Sequence, residues 1–292
     1  MTRARSCPIC ADPRARAFWA ERATAHVVVR CVRCGCVYSD LSLEQYAAEQ
    51  HNAWNEPEVA DEVDLFYRVR RERVHLDFLA DIAATVEGRR VLDIGCGLGV
   101  FLERAAAAGW AVHGIDTSED WVRAARGRVG EDAVELGAFE TSRFAGERFD
   151  LITLWDVIEH VWDPVPLLRA AAAALAPGGR LFIRTPNIRY VAPVYGARRR
   201  LLREDIDLGA TNHVIHFSSR SLGRALRDAG LGELQWRTYP PPQVPLAEGG
   251  IAGAASVQLK NAIARSSDLA ARASAGRLAF GSDLDVIAGA PR

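Results

Sequence analysis

Residues 89–100 read RRVLDIGCGLGV. The apolar pair Val91-Leu92 runs into Asp93 and Ile94, and glycine then takes every second position, at Gly95, Gly97 and Gly99. An apolar run that breaks into alternate glycines predicts a buried parallel strand passing through a tight turn into a helix. Residues without side chains let the backbone approach a ligand closely. The helix behind them offers unpaired N–H groups and the positive end of its dipole. The stretch therefore predicts a ligand cradle at the end of a central strand.

The spacing narrows the choice of ligand. Dinucleotide-binding turns use G-x-G-x-x-G, whereas here the third glycine comes one residue early and Val100 stands where that fingerprint has glycine. Asp93 lies two residues before the first glycine. The resulting D-x-G-x-G-x-G resembles the first motif of the class I S-adenosylmethionine-dependent methyltransferases. The resemblance implies an α/β, Rossmann-like fold with a seven-stranded, mostly parallel sheet whose last strand is antiparallel. It also implies S-adenosylmethionine as the bound molecule, held around Asp93, Gly95, Cys96, Gly97 and Gly99.

Outward from the turn, strand and helix patterns alternate, as a doubly wound sheet requires. Strands are expected at 90–94, 111–115, 133–136, 149–155, 180–184 and 231–239, with helices at 100–108, 118–129, 164–175 and 219–230 between them. A final strand at 284–288 would enter antiparallel, and an Ala-rich stretch from about residue 255 reads as helical. Asp116 ends the second strand, about twenty residues past the glycines, where an acidic side chain accepts both ribose hydroxyls of an adenosine. The competing reading of Asp116 is a helix N-cap, which the adjacent Thr117 or Ser118 supplies equally well. In the resembled family an acidic residue after the third strand often holds the adenine amino group. Gly137-Ala138-Phe139-Glu140 puts alanine there, so the backbone at Ala138 and the Phe139 ring are expected to substitute. Trp155 is expected to face the adenine or the methionine arm.

The run Asp156-Val157-Ile158-Glu159-His160-Val161-Trp162-Asp163-Pro164 is a second resemblance to the same superfamily, at the carboxyl end of a central strand where open α/β sheets place their chemistry. His160 is the candidate base for a hydroxyl acceptor, because an imidazole titrates near neutral pH. Asp156, Glu159 and His160 fall at i, i+3 and i+4 and share a face if the turn is helical. The ubiquinone-pathway O-methyltransferases carry a similar acidic-x-x-Glu-His run, which implies magnesium as a further candidate that polarises the acceptor oxygen. Against magnesium stands the simpler role of Asp156 as a cap. Thr185-Pro186-Asn187 is another resemblance, at a place where the family often positions substrate. The poorly periodic segment 188–216 is expected to form the lid and acceptor pocket. Asn187, Tyr190, Tyr195, His213 and His216 are its candidate substrate contacts. Arg198, Arg199, Arg200 and Arg203 read as a solvated face or an anion grip.

Five of the six cysteines fall within residues 7–36, and four of them form two knuckles, Cys7-x2-Cys10 and Cys31-x2-Cys34. Four thiolates at that spacing suit a closed tetrahedral zinc site in a zinc ribbon, structural and not catalytic. Cys36 is the spare. The expected organisation is a ribbon over 1–40, a helical cap over 41–86 and a methyltransferase core over 87–292 with the 188–216 insertion. Tyr46, Tyr67 and Arg70 in the cap read as packing and solvated charge before ligand contacts.

A formal charge of −1 gives no electrostatic reason to expect nucleic acid or an anionic membrane as partner. No apolar run is long enough for a membrane span, and the chain's start lacks a signal-peptide core, so a cytoplasmic location is expected. The expected activity is methylation of a small-molecule acceptor, O-directed, on a sugar, polyketide-like or quinone-like compound. A sugar C-methyltransferase is the first alternative, since those enzymes also carry a four-cysteine ribbon. An RNA methyltransferase gripping its substrate with the ribbon and a non-catalytic S-adenosylmethionine-binding module follow. The oligomeric state, a homodimer included, is left open.

Overall fold

Strands β1 (Ala15–Ala20) and β2 (Val27–Cys31) lie between the two cysteine knuckles and β3 (Val37–Ser39) follows the second, the three paired antiparallel in that order. A computed structural model describes them together with the rest of residues 5–24, 26–53, 71–239 and 265–290. Two helices follow, α1 (Leu43–Ala53) and α2 (Glu72–Ala83). In α2 the buried residues Val74, His75, Phe78, Leu79 and Ile82 make one apolar stripe at helical spacing. The expected start of that stripe, at Val63, Phe66 and Val69, lies outside the described residues, as do Tyr67 and Arg70.

The core then alternates as the sequence predicts: β4 (Arg90–Ile94), α3 (Val100–Ala107), β5 (Ala111–Asp116), α4 (Glu119–Val129), β6 (Val134–Leu136), β7 (Phe149–Trp155), α5 (Pro164–Ala173) and β8 (Leu175–Pro186). Helix α5 stops before the expected Leu175 because Phe149 N–H donates to the Ala174 carbonyl and pairs its strand with Leu175. Asp163 occupies the N-cap of α5, but its side chain makes no capping bond.

After β8 come α6 (Ile188–Leu201), the two-residue β9 (Ile215–His216), α7 (Ser219–Asp228) and β10 (Gly232–Arg237), then a helical segment at 265–273 and β11 (Asp283–Gly289). The Ala-rich stretch between 255 and 264 is outside the described residues. Ser218 and Ser221 close a reciprocal capping box that starts α7.

The central sheet has the order β10-β11-β8-β7-β4-β5-β6, with β4, β5, β6, β7 and β8 parallel and β11 antiparallel to both its neighbours. Strand order therefore reverses at β4, and the glycine turn opens at that switch point, where such sheets bind ligands. The antiparallel strand is fixed by charge as well as by hydrogen bonds. Arg184 on β8 stands opposite Asp285 on β11, fully buried, and donates to it at 3.0 Å and to Asp283 at 2.9 Å. Burial pushes the Asp285 carboxyl up to about 6 against the pull of that guanidinium. Removing one partner of such a pair strands the other charge in the interior. Among the described residues no helix is long and apolar enough to cross a membrane.

The insertion contains more order than its sequence suggests. Its first half is the 14-residue α6, and its end, β9, pairs with β3 (Val37↔His216, Tyr38↔Ile215). The ribbon and the insertion thus share one four-stranded sheet, β1-β2-β3-β9. Side chains reinforce the join: Glu21 accepts from the Leu208 and Gly209 N–H groups, and Asp207 accepts from Arg22 and Ala23 N–H.

Candidate active site

At the end of β4 the chain turns through Gly95, Gly97 and Gly99 at φ +72°, +52° and +76°. L side chains rarely adopt that region. Space forbids them too: a Cβ on Gly95 would stand 2.5 Å from Val157 Cγ2, and one on Gly99 2.9 Å from Ala125 Cβ. Gly95 and Cys96 N–H both donate to the Ile115 carbonyl, at 2.8 and 3.0 Å, which ties the turn to β5. Asp116 at the tip of β5 completes the tie, with one carboxylate oxygen accepting from Gly97 N–H at 2.8 Å and the other from Ser118 N–H at 2.9 Å. Burial raises the Asp116 pKa, and those backbone donors offset part of the rise.

These residues border a cavity of about 540 Å³. Asp93, Cys96, Thr117, Ala138, Phe139 and Trp155 line it as well. Asp93 is buried and accepts the Thr153 hydroxyl at 2.7 Å. Cys96 turns its thiol toward the Cα of Gly114, where a Cβ would meet its sulfur at 2.9 Å. The Trp155 ring packs among Phe78, Phe101 and Phe182, and its indole N–H has no partner.

Trp121, Glu140 and His75, to which the sequence assigned no role in the site, also border the cavity. His75 is buried against Trp155 and Phe101 with neither ring nitrogen hydrogen-bonded, and burial, then the charge of Arg71, hold it down at about 3 and neutral. Its only sequence signal is a polar residue within the apolar stripe of α2.

The turn after β7 sends its side chains in different directions. Asp156 sits at φ +55° and accepts from Arg71 at 2.6 Å, with its other carboxylate oxygen buried and unpartnered at the cavity. Glu159 is buried on the far side, where one oxygen accepts the Thr185 hydroxyl at 2.9 Å and the other has no partner. It lines a second cavity of about 200 Å³, together with Tyr195, Asn212, His213 and His216. His160 lines the first cavity, and its Nδ1 lies 2.9 Å from the Asn212 carbonyl. Tyr46, also at the first cavity, donates its hydroxyl to the His160 carbonyl at 2.9 Å. Burial lowers the pKa of His160 and brings His213 to about 3 and His216 to about 4.

The methyltransferase domain family model matches residues 67–235, more than half the chain, including the glycine turn, Asp116 and the D-V-I-E-H run. The chain belongs to the class I S-adenosylmethionine-dependent methyltransferases. The ubiquinone biosynthesis O-methyltransferase of Aeromonas salmonicida (strain A449) is 35% identical to this methyltransferase over 166 residues, 54% of this chain and 69% of the relative. That of Aromatoleum aromaticum is 36% identical over 179 residues, 58% of this chain and 75% of the relative. Among solved structures, the plantazolicin methyltransferase BpumL in complex with SAH superposes with a TM-score of 0.52 at 15% identity, covering 85% of this chain and 96% of its own. A SAM-dependent methyltransferase from Archaeoglobus fulgidus gives 0.51 at 19% identity, covering 78% and 98%. Both show the fold. The methyltransferase uses S-adenosylmethionine.

The residues of this methyltransferase do not fit the magnesium set implied by the acidic-x-x-Glu-His run. The turn is not helical, Asp156 is engaged by Arg71, and Asp156 is not in the group whose ligand atoms lie close together; that group is Glu159, His160 and His213. Asn187, expected at the substrate, is instead fully buried as the N-cap of α6. Its side-chain oxygen accepts from Arg189 N–H and its amide donates to the Ala279 and Gly281 carbonyls. Tyr190 is exposed and lines neither cavity, whereas Tyr195, His213 and His216 meet at the second. Of the arginine cluster, Arg199 spends its guanidinium on the Ile206 and Ala20 carbonyls and on Asp207, which joins the insertion to the ribbon.

The four cysteine sulfurs of the methyltransferase come together. Cys7 and Cys34 sulfurs lie 3.5 Å apart, as do those of Cys10 and Cys31, and all four fall within 4.8 Å of one another. A tetrahedron with Zn–S bonds of 2.3 Å places its sulfurs about 3.8 Å apart, so the residues fit zinc. Cys36 is buried beside them and donates to the Val37 carbonyl.

Proposed function

We propose that the enzyme methylates a hydroxyl group of a small molecule, a sugar, polyketide-like or quinone-like compound, and that the Glu159–His160–His213 cluster handles the acceptor proton. The observation that carries this reading is the position of the cluster: His160 lines the donor cavity, while Glu159 and His213 line the second cavity behind it. The printed activity of the relatives, O-methylation, supports an oxygen acceptor.

In this reading Asp116 accepts the ribose hydroxyls of S-adenosylmethionine. Ala138 and Phe139 border the adenine, and Trp155 and His75 border the methionine arm. The Gly95–Gly99 turn, whose N–H groups at Gly95, Cys96, Gly97 and Gly99 are bonded within the protein, brings its side-chain-free backbone against the donor. The donor supplies an activated methyl on its sulfonium. What this chain adds is alignment, which is worth roughly 7–11 kcal/mol when the attacking oxygen is held in line. It also adds proton removal from a site closed by Tyr46 and the His160 turn. Cys7, Cys10, Cys31 and Cys34 hold a structural zinc that keeps the ribbon, and with it the insertion, in place.

The test is transfer of labelled methyl from S-adenosylmethionine to a panel of phenolic, glycosidic and polyketide hydroxyl acceptors. His160→Ala is expected to lower turnover of the accepted compound by about 10²–10⁴-fold, with donor affinity changed less than a few-fold in calorimetry. Full turnover in the variant would remove the cluster from the chemistry.

A further inference from the structure

Glu159, His160 and His213 each offer one ligand atom within 4.8 Å of the other two. Apart from the four cysteines, they are the one such group of potential metal ligands among the described residues. Several features suit them to hold a cation. Glu159 is 2% exposed, and one of its carboxylate oxygens has no protein hydrogen-bond donor among the described residues. A buried acceptor in that state calls for an ion or an ordered ligand. The His160 Nδ1 contact with the Asn212 carbonyl, which can only accept, puts the ring proton on Nδ1 and the lone pair on Nε2. A carbonyl that orients an imidazole through its other nitrogen is the usual outer support of a histidine metal ligand. The His213 ring lies 4.9 Å from that of His160, and the ribbon fixes its backbone, since Ser39 donates its hydroxyl to the His213 carbonyl and its N–H to the Val214 carbonyl. The second cavity beside them has further unpartnered polar atoms, Asn212 Oδ1 and His216 Nε2.

We infer that Glu159, His160 and His213 form a site for a divalent transition-metal ion in the wall between the two cavities. The ligand set departs from the acidic-x-x-Glu-His run: Arg71 withdraws Asp156, and the insertion supplies an imidazole in place of a carboxylate. The departure changes the metal. Two imidazoles and one carboxylate suit zinc, cobalt or iron, whereas magnesium takes oxygen donors. A metal with open positions lowers the pKa of a hydroxyl bound to it, and in that use the inference rests on the acceptor reading above. Binding of the ion does not depend on that reading.

Metal content of the full-length protein, loaded with Zn²⁺ and desalted, tests the site. Two equivalents per chain are expected, one in the ribbon and one here. His213→Ala and Glu159→Gln should each leave one, and Asp156→Asn should leave two. Co²⁺ loading checks the unsubstituted protein independently of whether any variant folds. The ribbon gives intense thiolate charge-transfer absorption, and the second site adds weaker bands that carry no sulfur signature. A single equivalent, lost in Cys34→Ser, would overturn the site. So would Mg²⁺ binding that survives His213→Ala and disappears in Asp156→Asn. If one equivalent is found while His160→Ala still abolishes methyl transfer, the metal site falls and the acceptor reading stands. If two are found and His213→Ala transfers methyl normally, the site stands and its part in the chemistry falls.

Discussion

Asp116→Ala is expected to weaken S-adenosylmethionine binding by about 10²–10⁴-fold while the protein keeps its fold and its ribbon metal. Hydrogen bonds to a charged group contribute about 1.5–3 kcal/mol each, and loss of both ribose hydroxyl bonds gives about 3–6 kcal/mol, a tenfold change in affinity for every 1.4 kcal/mol. The same carboxylate also accepts from Gly97 N–H, so its removal loosens the glycine turn in addition. The sign of the pH effect follows from its environment. Burial raises the Asp116 pKa, and the ionised form is the one that accepts both hydroxyls. Donor affinity therefore falls as the pH drops through that raised value. Calorimetric titration across pH should show this acid limb in the wild type and a flat profile in Asp116→Asn. Near-normal affinity in Asp116→Ala would place the ribose elsewhere.

Cys34→Ser carries the other large effect, at the opposite end of the molecule. A structural zinc contributes about 10–16 kcal/mol to folding in zinc-finger peptides, comparable to the whole stability of a typical domain, about 5–15 kcal/mol. A ribbon of three short strands does not hold together without it. When β3 loosens, β9 loses the one sheet partner it has among the described residues, and Glu21 no longer secures Leu208 and Gly209. The segment carrying Asn212, His213 and His216 is then free to move. Arg5, stacked 3.6 Å above the Trp162 ring and bonded to its carbonyl, also leaves the His160 turn. Expected results are loss of the ribbon zinc, loss of amide-exchange protection over 205–216, and a fall in methyl transfer of at least about 10²-fold, the scale on which a displacement near 1 Å acts. Donor affinity should change only a few-fold, since Asp116 and the glycine turn bond to β5 and not to the ribbon. Full protection over 205–216 without zinc would contradict the clamp.

The features legible in the sequence are those that local chemistry writes into short runs. Alternate glycines announce the turn, an acid at a strand tip announces Asp116, and paired knuckles announce the cysteine cluster. The strand and helix rhythm gave the sheet because short apolar runs such as Val91-Leu92, Leu151-Ile152 and Leu181-Phe182-Ile183 recur between helical stretches. What escaped depends on distant partners. A two-residue strand such as β9 has no periodicity of its own, and its pairing with β3 spans most of the chain. Pro193 and Gly196 break the helical signal of α6, so nothing local marked Asn187 as its N-cap, and the family resemblance of Thr185-Pro186-Asn187 put it at the substrate. His75 and Arg71 acquire their surroundings only when α2 packs on the cavity. The spacing of Asp156, Glu159 and His160 suggested one helical face, which the left-handed backbone at Asp156 prevents.

A crystal structure with S-adenosylhomocysteine bound is the most direct test. The expected result has both ribose hydroxyls on Asp116 and the sulfur open toward His160, with the Glu159–His160–His213 cluster on the acceptor side. A nucleoside bound away from Asp116, or a sulfur facing away from His160, would contradict it.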